Sequence, residues 1–209
     1  MSTDATRLWA VAGRSTPATY YDRHLRIRAV KLVPGEHFAT GEDRVIVTVL
    51  GSCVAACVRD PIARVGGMNH FMIPASDSST IHPVDRGTRY GVYAMELLLT
   101  DLMKCGAQRD RLEAKVFGGG AVLRGVNALD LGTRSSNFLL RYLATERIPV
   151  IAQDLLDTHP RKIYYFPRSG RVLVKRLRSM HNDTIIRREQ EYASRISGDR
   201  VGGDIELFD

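Results

Sequence analysis

TVLGSCVAACVRDPIARVGGMNHFMIP, Thr48 to Pro74, is the stretch that decides the reading of this chain. It continues a β-branched run that starts at Val45, so Val45 to Leu50 predicts a short buried strand. Gly51-Ser52 breaks that strand. Cys53 to Val58 is apolar again, and Asp60-Pro61 turns the chain. Ala63 to Ile73 is strand-like once more, carries Gly66-Gly67 and His70, and stops at Pro74.

Such a break at the end of a buried strand lifts a side chain off the sheet and frees nearby backbone N–H groups. A nucleophile and its oxyanion donors need both. A thiol near its ordinary pKa is mostly protonated at neutral pH, so a nucleophilic Cys53 needs a base. His70 is the candidate: Gly66-Gly67 lets the backbone approach closely, and an imidazole among Met68, Phe71, Met72 and Ile73 is costly to bury without a partner. Thr48, on the strand leading to Cys53, offers a hydroxyl to orient the ring. The residues alone also fit a blander description, with Cys53 a small core residue and His70 a hydrogen-bonded core histidine.

Working outward, Leu25 to Val33 alternates apolar and basic residues and predicts a half-buried strand ending at Pro34-Gly35. Ala75 to Gly87 is polar and reads as a surface loop. Tyr90, Tyr93, Ala94, Leu97 and Leu98 recur at helical spacing, with Thr100, Asp101 and Lys104 turned outward and Gly106 as a stop. Leu112 to Phe117 predicts a strand entering Gly118-Gly119-Gly120. A second helix is predicted from about Ser135 to Arg147, then a strand over Ile148 to Ala152. Lys162 to Phe166 and Val172 to Leu177 predict a hairpin across Pro167-Arg168-Ser169-Gly170. Ile185 to Arg195 is charge-rich and reads as helix. Strands and helices mix without strict alternation, so the class is α/β or α+β. The expected division is an N-terminal arm over residues 1–20, one domain over 21–178 and a charged, partly helical extension over 179–209.

Composition sets limits on function. With 209 residues, 44% apolar and 25% charged, the chain is long enough to bury a core without disulfides or structural metal. The formal charge of +7 comes from Lys and Arg spread along the chain, and only 7% of residues are aromatic, which reads as a solvated basic surface rather than a nucleic-acid interface. No apolar stretch reaches the length of a membrane span, and Leu8 to Ala12 is too short for a secretory signal. Three cysteines without framework spacing point to free thiols in a reducing cytoplasm. Cys57 and Cys105 read as buried structural thiols. Cys53, Cys57, His70 and His82 match no common zinc arrangement. Gly118-Gly119-Gly120 lacks a Gly-Lys-Ser/Thr ending and reads as a tight loop beside the site.

Thr48 to Pro74 closely resembles the signature of the chemoreceptor glutamine deamidases, the CheD family of bacterial chemotaxis. KVFGGGAVL (Lys115 to Leu123) is similar to the family's Lys-x-Phe-Gly-Gly segment. Gly132 to Leu143 resembles its glycine-arginine helix start, and RKIYYFPRSGRVLVKRL (Arg161 to Leu177) its closing hairpin. The resemblance covers about Tyr20 to Leu177 in the family's order. It implies one α/β domain with a β-sandwich core and flanking helices, similar to the catalytic domain of deamidating bacterial toxins. It also implies a cytoplasmic, cofactor- and metal-free cysteine amidohydrolase with Cys53 as nucleophile, His70 as base and Thr48 completing the site. A monomer is the default expectation, because the sequence shows no self-association stripe. The implied substrate is a glutamine on the cytoplasmic helical bundle of a methyl-accepting chemoreceptor, and a CheC-type phosphatase is a further partner in some lineages. The rival from another class is a non-catalytic adaptor that docks on receptors or on such a phosphatase. Two departures stand out: Ser135 replaces the asparagine many members carry after the glycine-arginine pair, and Leu156-Asp157 replaces two glycines after the aspartate, here Asp154.

Overall fold

A computed structural model describes residues 17–73, 86–121, 126–177 and 183–198. Two five-stranded mixed sheets face each other, with two helices on the outside of one of them and a third at one end. The first sheet has the order β1-β2-β4-β9-β10 and the second β3-β6-β5-β7-β8. Their strands are β1 (Ala18–Asp22), β2 (Ile27–Lys31), β3 (His37–Thr40), β4 (Arg44–Leu50), β5 (Val54–Asp60), β6 (Val65–Asn69), β7 (Glu113–Gly118), β8 (Val150–Leu155), β9 (Arg161–Phe166) and β10 (Arg171–Arg176). The helices are α1 (Arg86–Lys104), α2 (Val126–Thr145) and α3 (Asp183–Gly198). The architecture is α+β, a sandwich core with flanking helices, as expected.

The period of two along a strand assigns each face. On β4, Ile46 and Leu50 face the space between the sheets, where Val30, Ala55, Cys57, Met68, Phe117, Ile163 and Tyr165 meet them. Val45 and Val47 point the other way and pack with Ala29 on the outer side of the first sheet. On β5, Val54, Ala56 and Val58 turn toward α1 and α2, joining Met95, Leu98, Leu102, Leu139 and Leu143. With both faces covered, β5 is apolar from Val54 to Val58, which is why that run shows no alternation.

Some elements depart from the expectations. β1 begins at Ala18, within the stretch read as an arm, and pairs antiparallel with β2. β1 is an edge strand, mostly exposed, so it shows no apolar period. β3, also an edge strand, is four residues long and carries no apolar period either. α2 starts at Val126 rather than near Ser135. The sequence suggests a helix boundary at Gly132, but this glycine lies inside α2, where a Cβ would stand 2.4 Å from the carbonyl oxygen of Gly119. Glycine there lets the helix press on the triple-glycine loop, at a cost of about 1 kcal/mol in helix propensity. Cys105, expected to be buried, is exposed at the C-terminal end of α1, whereas Cys57 is buried. The loop read over Ala75 to Gly87 lies outside the described residues, apart from Arg86 and Gly87, which open α1.

Candidate active site

β5 and β6 run antiparallel with Cys57 opposite Met68, and an isolated bridge keeps the same register by pairing Val54 with Phe71. Extending that register sets Ala55 across from His70. Cys53 and Ala55 share the inner face of β5, so His70 is a diagonal neighbour of Cys53 on one face. Thr48 alternates with Ile46 and Leu50 on β4, so its hydroxyl enters the same space from the opposite sheet. The three residues expected from sequence therefore meet at one end of the sandwich. All are buried.

His70 is held at both its backbone and its ring. Its N–H donates to the carbonyl of Glu36 (2.9 Å), and its carbonyl accepts from Gly35 N–H (2.7 Å). The Thr48 hydroxyl lies 2.8 Å from Nδ1 of the ring and 3.0 Å from the carbonyl oxygen of Leu32. A carbonyl only accepts, so the single hydroxyl proton goes to Leu32. The hydroxyl oxygen then accepts from Nδ1–H. This fixes the neutral tautomer with the Nε2 lone pair free. Nε2 is buried and has no hydrogen-bond partner among the described residues.

The turn after β4 forms an anion cradle. The N–H groups of Gly51 (2.8 Å), Ser52 (2.8 Å) and Cys53 (3.3 Å) and the Ser52 hydroxyl (2.6 Å) all donate to the carboxylate of Glu189 on α3. The triple-glycine loop holds this turn from behind, through Gly119 N–H to the carbonyl of Cys53 and Gly120 N–H to that of Gly51, both 2.7 Å. Arg161, fully buried, braces the loop by donating to the carbonyls of Gly118 and Leu156 and pairing with Asp154 (3.1 Å).

Both departures from the family pattern lie next to this frame. Ser135 on α2 accepts the N–H of Ile73 through its Oγ at 3.0 Å and so ties down the segment beyond His70. Leu156 and Asp157 both have positive φ, 65° and 77°, the backbone region that favours glycine. Leu156 N–H still reaches the carbonyl of Gly118 (2.8 Å), and the carbonyl of Asp157 accepts from Ala121 (2.7 Å).

Glu189 was not foreseen. It is only 2% exposed, and one carboxylate oxygen, the Cys53 thiol and a ring nitrogen of His70 lie within 4.8 Å of one another. It stands 137 residues from Ser52 in sequence, in a segment rich in charge, and nothing there separates it from the exposed Glu191. The zinc set weighed from sequence does not assemble: Cys57 is not in this group, and His82 lies outside the described residues. Burial first, and then the Glu189 carboxylate, push the Cys53 thiol well above its ordinary pKa. Burial lowers His70 to about 3, against a smaller raising effect of the Leu32 carbonyl. Thiol and imidazole are thus both neutral with α3 in place.

Beside the trio opens a cleft of about 400 Å³, lined by Thr48, His70 and Glu189 and by the basic side chains of Lys31, Lys162 and Arg188.

Residues 72–176 match the family model described as CheD chemotactic sensory transduction. The chain is 57% identical to a probable chemoreceptor glutamine deamidase CheD of Herminiimonas arsenicoxydans, over 90% of this chain and 93% of that protein. It is 54% identical to a probable chemoreceptor glutamine deamidase CheD 1 of Shewanella oneidensis, over 92% and 93%. The chain belongs to the CheD family. The residues matched to the family model include the triple-glycine loop and the β9–β10 hairpin and begin just after Thr48, Cys53 and His70. No helix among the described residues is long and apolar enough to cross a membrane.

Proposed function

We propose that this CheD-family chain is a cysteine-dependent protein-glutamine deamidase that converts glutamine side chains of methyl-accepting chemoreceptors to glutamate. The observation that carries the reading is the convergence of a thiol, an imidazole of fixed tautomer and three backbone N–H donors on one carboxylate-sized position. Relatives identical at over half of the aligned residues are named as probable chemoreceptor glutamine deamidases.

Cys53 is the nucleophile, His70 the general base and acid, and Thr48 the positioning residue. As Sγ attacks the carboxamide carbon, Nε2 of His70 takes the thiol proton. The amide oxygen gains the negative charge, opposite the N–H groups of Gly51, Ser52 and Cys53. The imidazolium then protonates the departing nitrogen, which leaves as ammonia, and a thioester remains. A water that gives its proton to His70 attacks the thioester, and the proton passes back to sulfur as glutamate leaves. Neutral partners suit this sequence, because the proton moves only when the substrate arrives. Lys31 and Lys162 beside the trio favour an acidic peptide as ligand.

On this reading the reaction takes place in the cytoplasm and the protein acts as a monomer. A CheC-type phosphatase as second partner rests on the family resemblance alone. An adaptor without turnover would need neither the fixed tautomer nor the cradle, so catalysis is the better account of this geometry.

The test is mass spectrometry of a receptor cytoplasmic fragment incubated with the protein. A gain of about one dalton at specific glutamines, absent with Cys53→Ala, is expected from exchange of NH₂ for OH. No gain with the receptors of the same organism would overturn the enzymatic reading.

A further inference from the structure

The cradle that an amide hydrolase offers to substrate is filled here by the chain's own C-terminal helix. Glu189 places a carboxylate, the group that deamidation produces, against the N–H donors of Gly51, Ser52 and Cys53. The fit is close: a Cβ on Gly51 would stand 2.7 Å from Oε2 of Glu189 and would push the carboxylate from its place in the cradle. The residues around Glu189 follow a helix-in-groove pattern. Glu189, Tyr192, Ala193 and Ile196, at i, i+3, i+4 and i+7, turn toward the body of the protein, while Arg187, Arg188, Gln190 and Glu191 face outward. Tyr192, 5% exposed, anchors the helix. Its ring packs edge-on against Tyr90 of α1, their hydroxyls are hydrogen-bonded, and it lies over Gly35 in the turn that holds His70. A buried carboxylate is costly unless its oxygens find donors, and these four donors offset that cost.

Resting on the deamidase reading above, we infer that α3 is a strap acting in cis, in which Glu189 stands as a product mimic that keeps Cys53 covered until a receptor helix displaces it. The groove that α3 occupies is then the docking site of the receptor. A receptor helix fits it by presenting its glutamine at the position of Glu189, with apolar residues three, four and seven places further on.

The test compares the full-length wild type with Glu189→Ala and Tyr192→Ala, mapping iodoacetamide labelling of Cys53 by peptide mass. A strap closed in about nine molecules of ten slows labelling about tenfold, so both variants are expected to label about tenfold faster. The same variants deamidate a receptor fragment faster than wild type at limiting receptor. Full-length Glu189→Gln sets a substrate in the cradle: the peptide bearing the substituted position is expected to gain about one dalton without any receptor, and to keep its mass when Cys53→Ala is added. Equal labelling of wild type and both variants overturns the strap. So does a Glu189→Gln chain whose introduced amide persists in a preparation able to deamidate a receptor. The outcomes separate the two readings. Faster labelling with no receptor deamidated by any variant leaves the strap and removes the deamidase, whereas receptor turnover with equal labelling does the reverse.

Discussion

The hydroxyl of Thr48 stands 2.8 Å from Nδ1 of His70 while its proton is committed to the carbonyl of Leu32. The pair spans two sheets, with the threonine on β4 and the histidine just beyond β6. It leaves the imidazole one arrangement, Nδ1–H with Nε2 open, and the proposed proton transfer requires that arrangement.

Thr48→Val keeps the shape of the side chain and removes the acceptor. General acid–base catalysis by a positioned side chain is worth about 10²- to 10⁴-fold, and Thr48→Val is expected to lose part of that in kcat on a receptor fragment, with little change in KM. Thr48→Ser should retain most activity. An unchanged kcat in Thr48→Val would show that the ring is held by its backbone alone.

Thiol labelling of the resting protein has an expected order. Cys105 is exposed, while Cys53 and Cys57 are buried and burial raises both of their pKa values. Iodoacetamide should label Cys105 first. Peptide mapping over a time course decides it. Cys53 labelled first would mean that the site stands open at rest.

His70 links stability to pH. Its folded pKa is lowered from 6.5 to about 3 because burial disfavours the imidazolium. Above pH 6.5 the ring is neutral in both states and the contribution is constant. As pH falls from 6.5 toward 3, only the unfolded chain takes up this proton, so stability is lost across that window, by up to about 1.4 kcal/mol per pH unit. Urea unfolding from about pH 7 to about pH 4.5 should show a smaller loss in His70→Gln than in wild type. Parallel curves would show that His70 titrates normally in the folded protein.

Ser135→Ala removes the acceptor of the Ile73 N–H, which is buried against α2. An orphaned buried donor costs about 1–3 kcal/mol. The urea midpoint should fall accordingly, and an unchanged midpoint would mean that the amide finds another acceptor.

Leu156→Gly should act in the opposite direction. Leucine at φ 65° carries a backbone penalty of about 1–2 kcal/mol that glycine escapes, and the leucine side chain is 43% exposed, so little packing is lost. A rise in the unfolding midpoint is expected, and a fall would show that the Leu156 side chain contributes packing here.

By itself the sequence determined the local pieces. The β-branched run of β4, the Gly-Ser break, the apolar run of β5 and the hairpin of β9 and β10 are legible because short-range periodicity and turn chemistry dictate them. Cys53 and His70 stood out for the same reason, being reactive side chains set in apolar strands. The edge strands β1 and β3 carry no such period, and the start of α2 was hidden by a glycine that serves a contact rather than a stop. The tertiary structure decided what depends on register and on distance along the chain. Strand parity put Cys53 and His70 on one face and Thr48 opposite them. Packing of α3 brought Glu189 across 137 residues into the cradle at Ser52. No pattern within a helix-length window encodes that contact, because its energy comes from backbone N–H donors that have no sequence signature of their own.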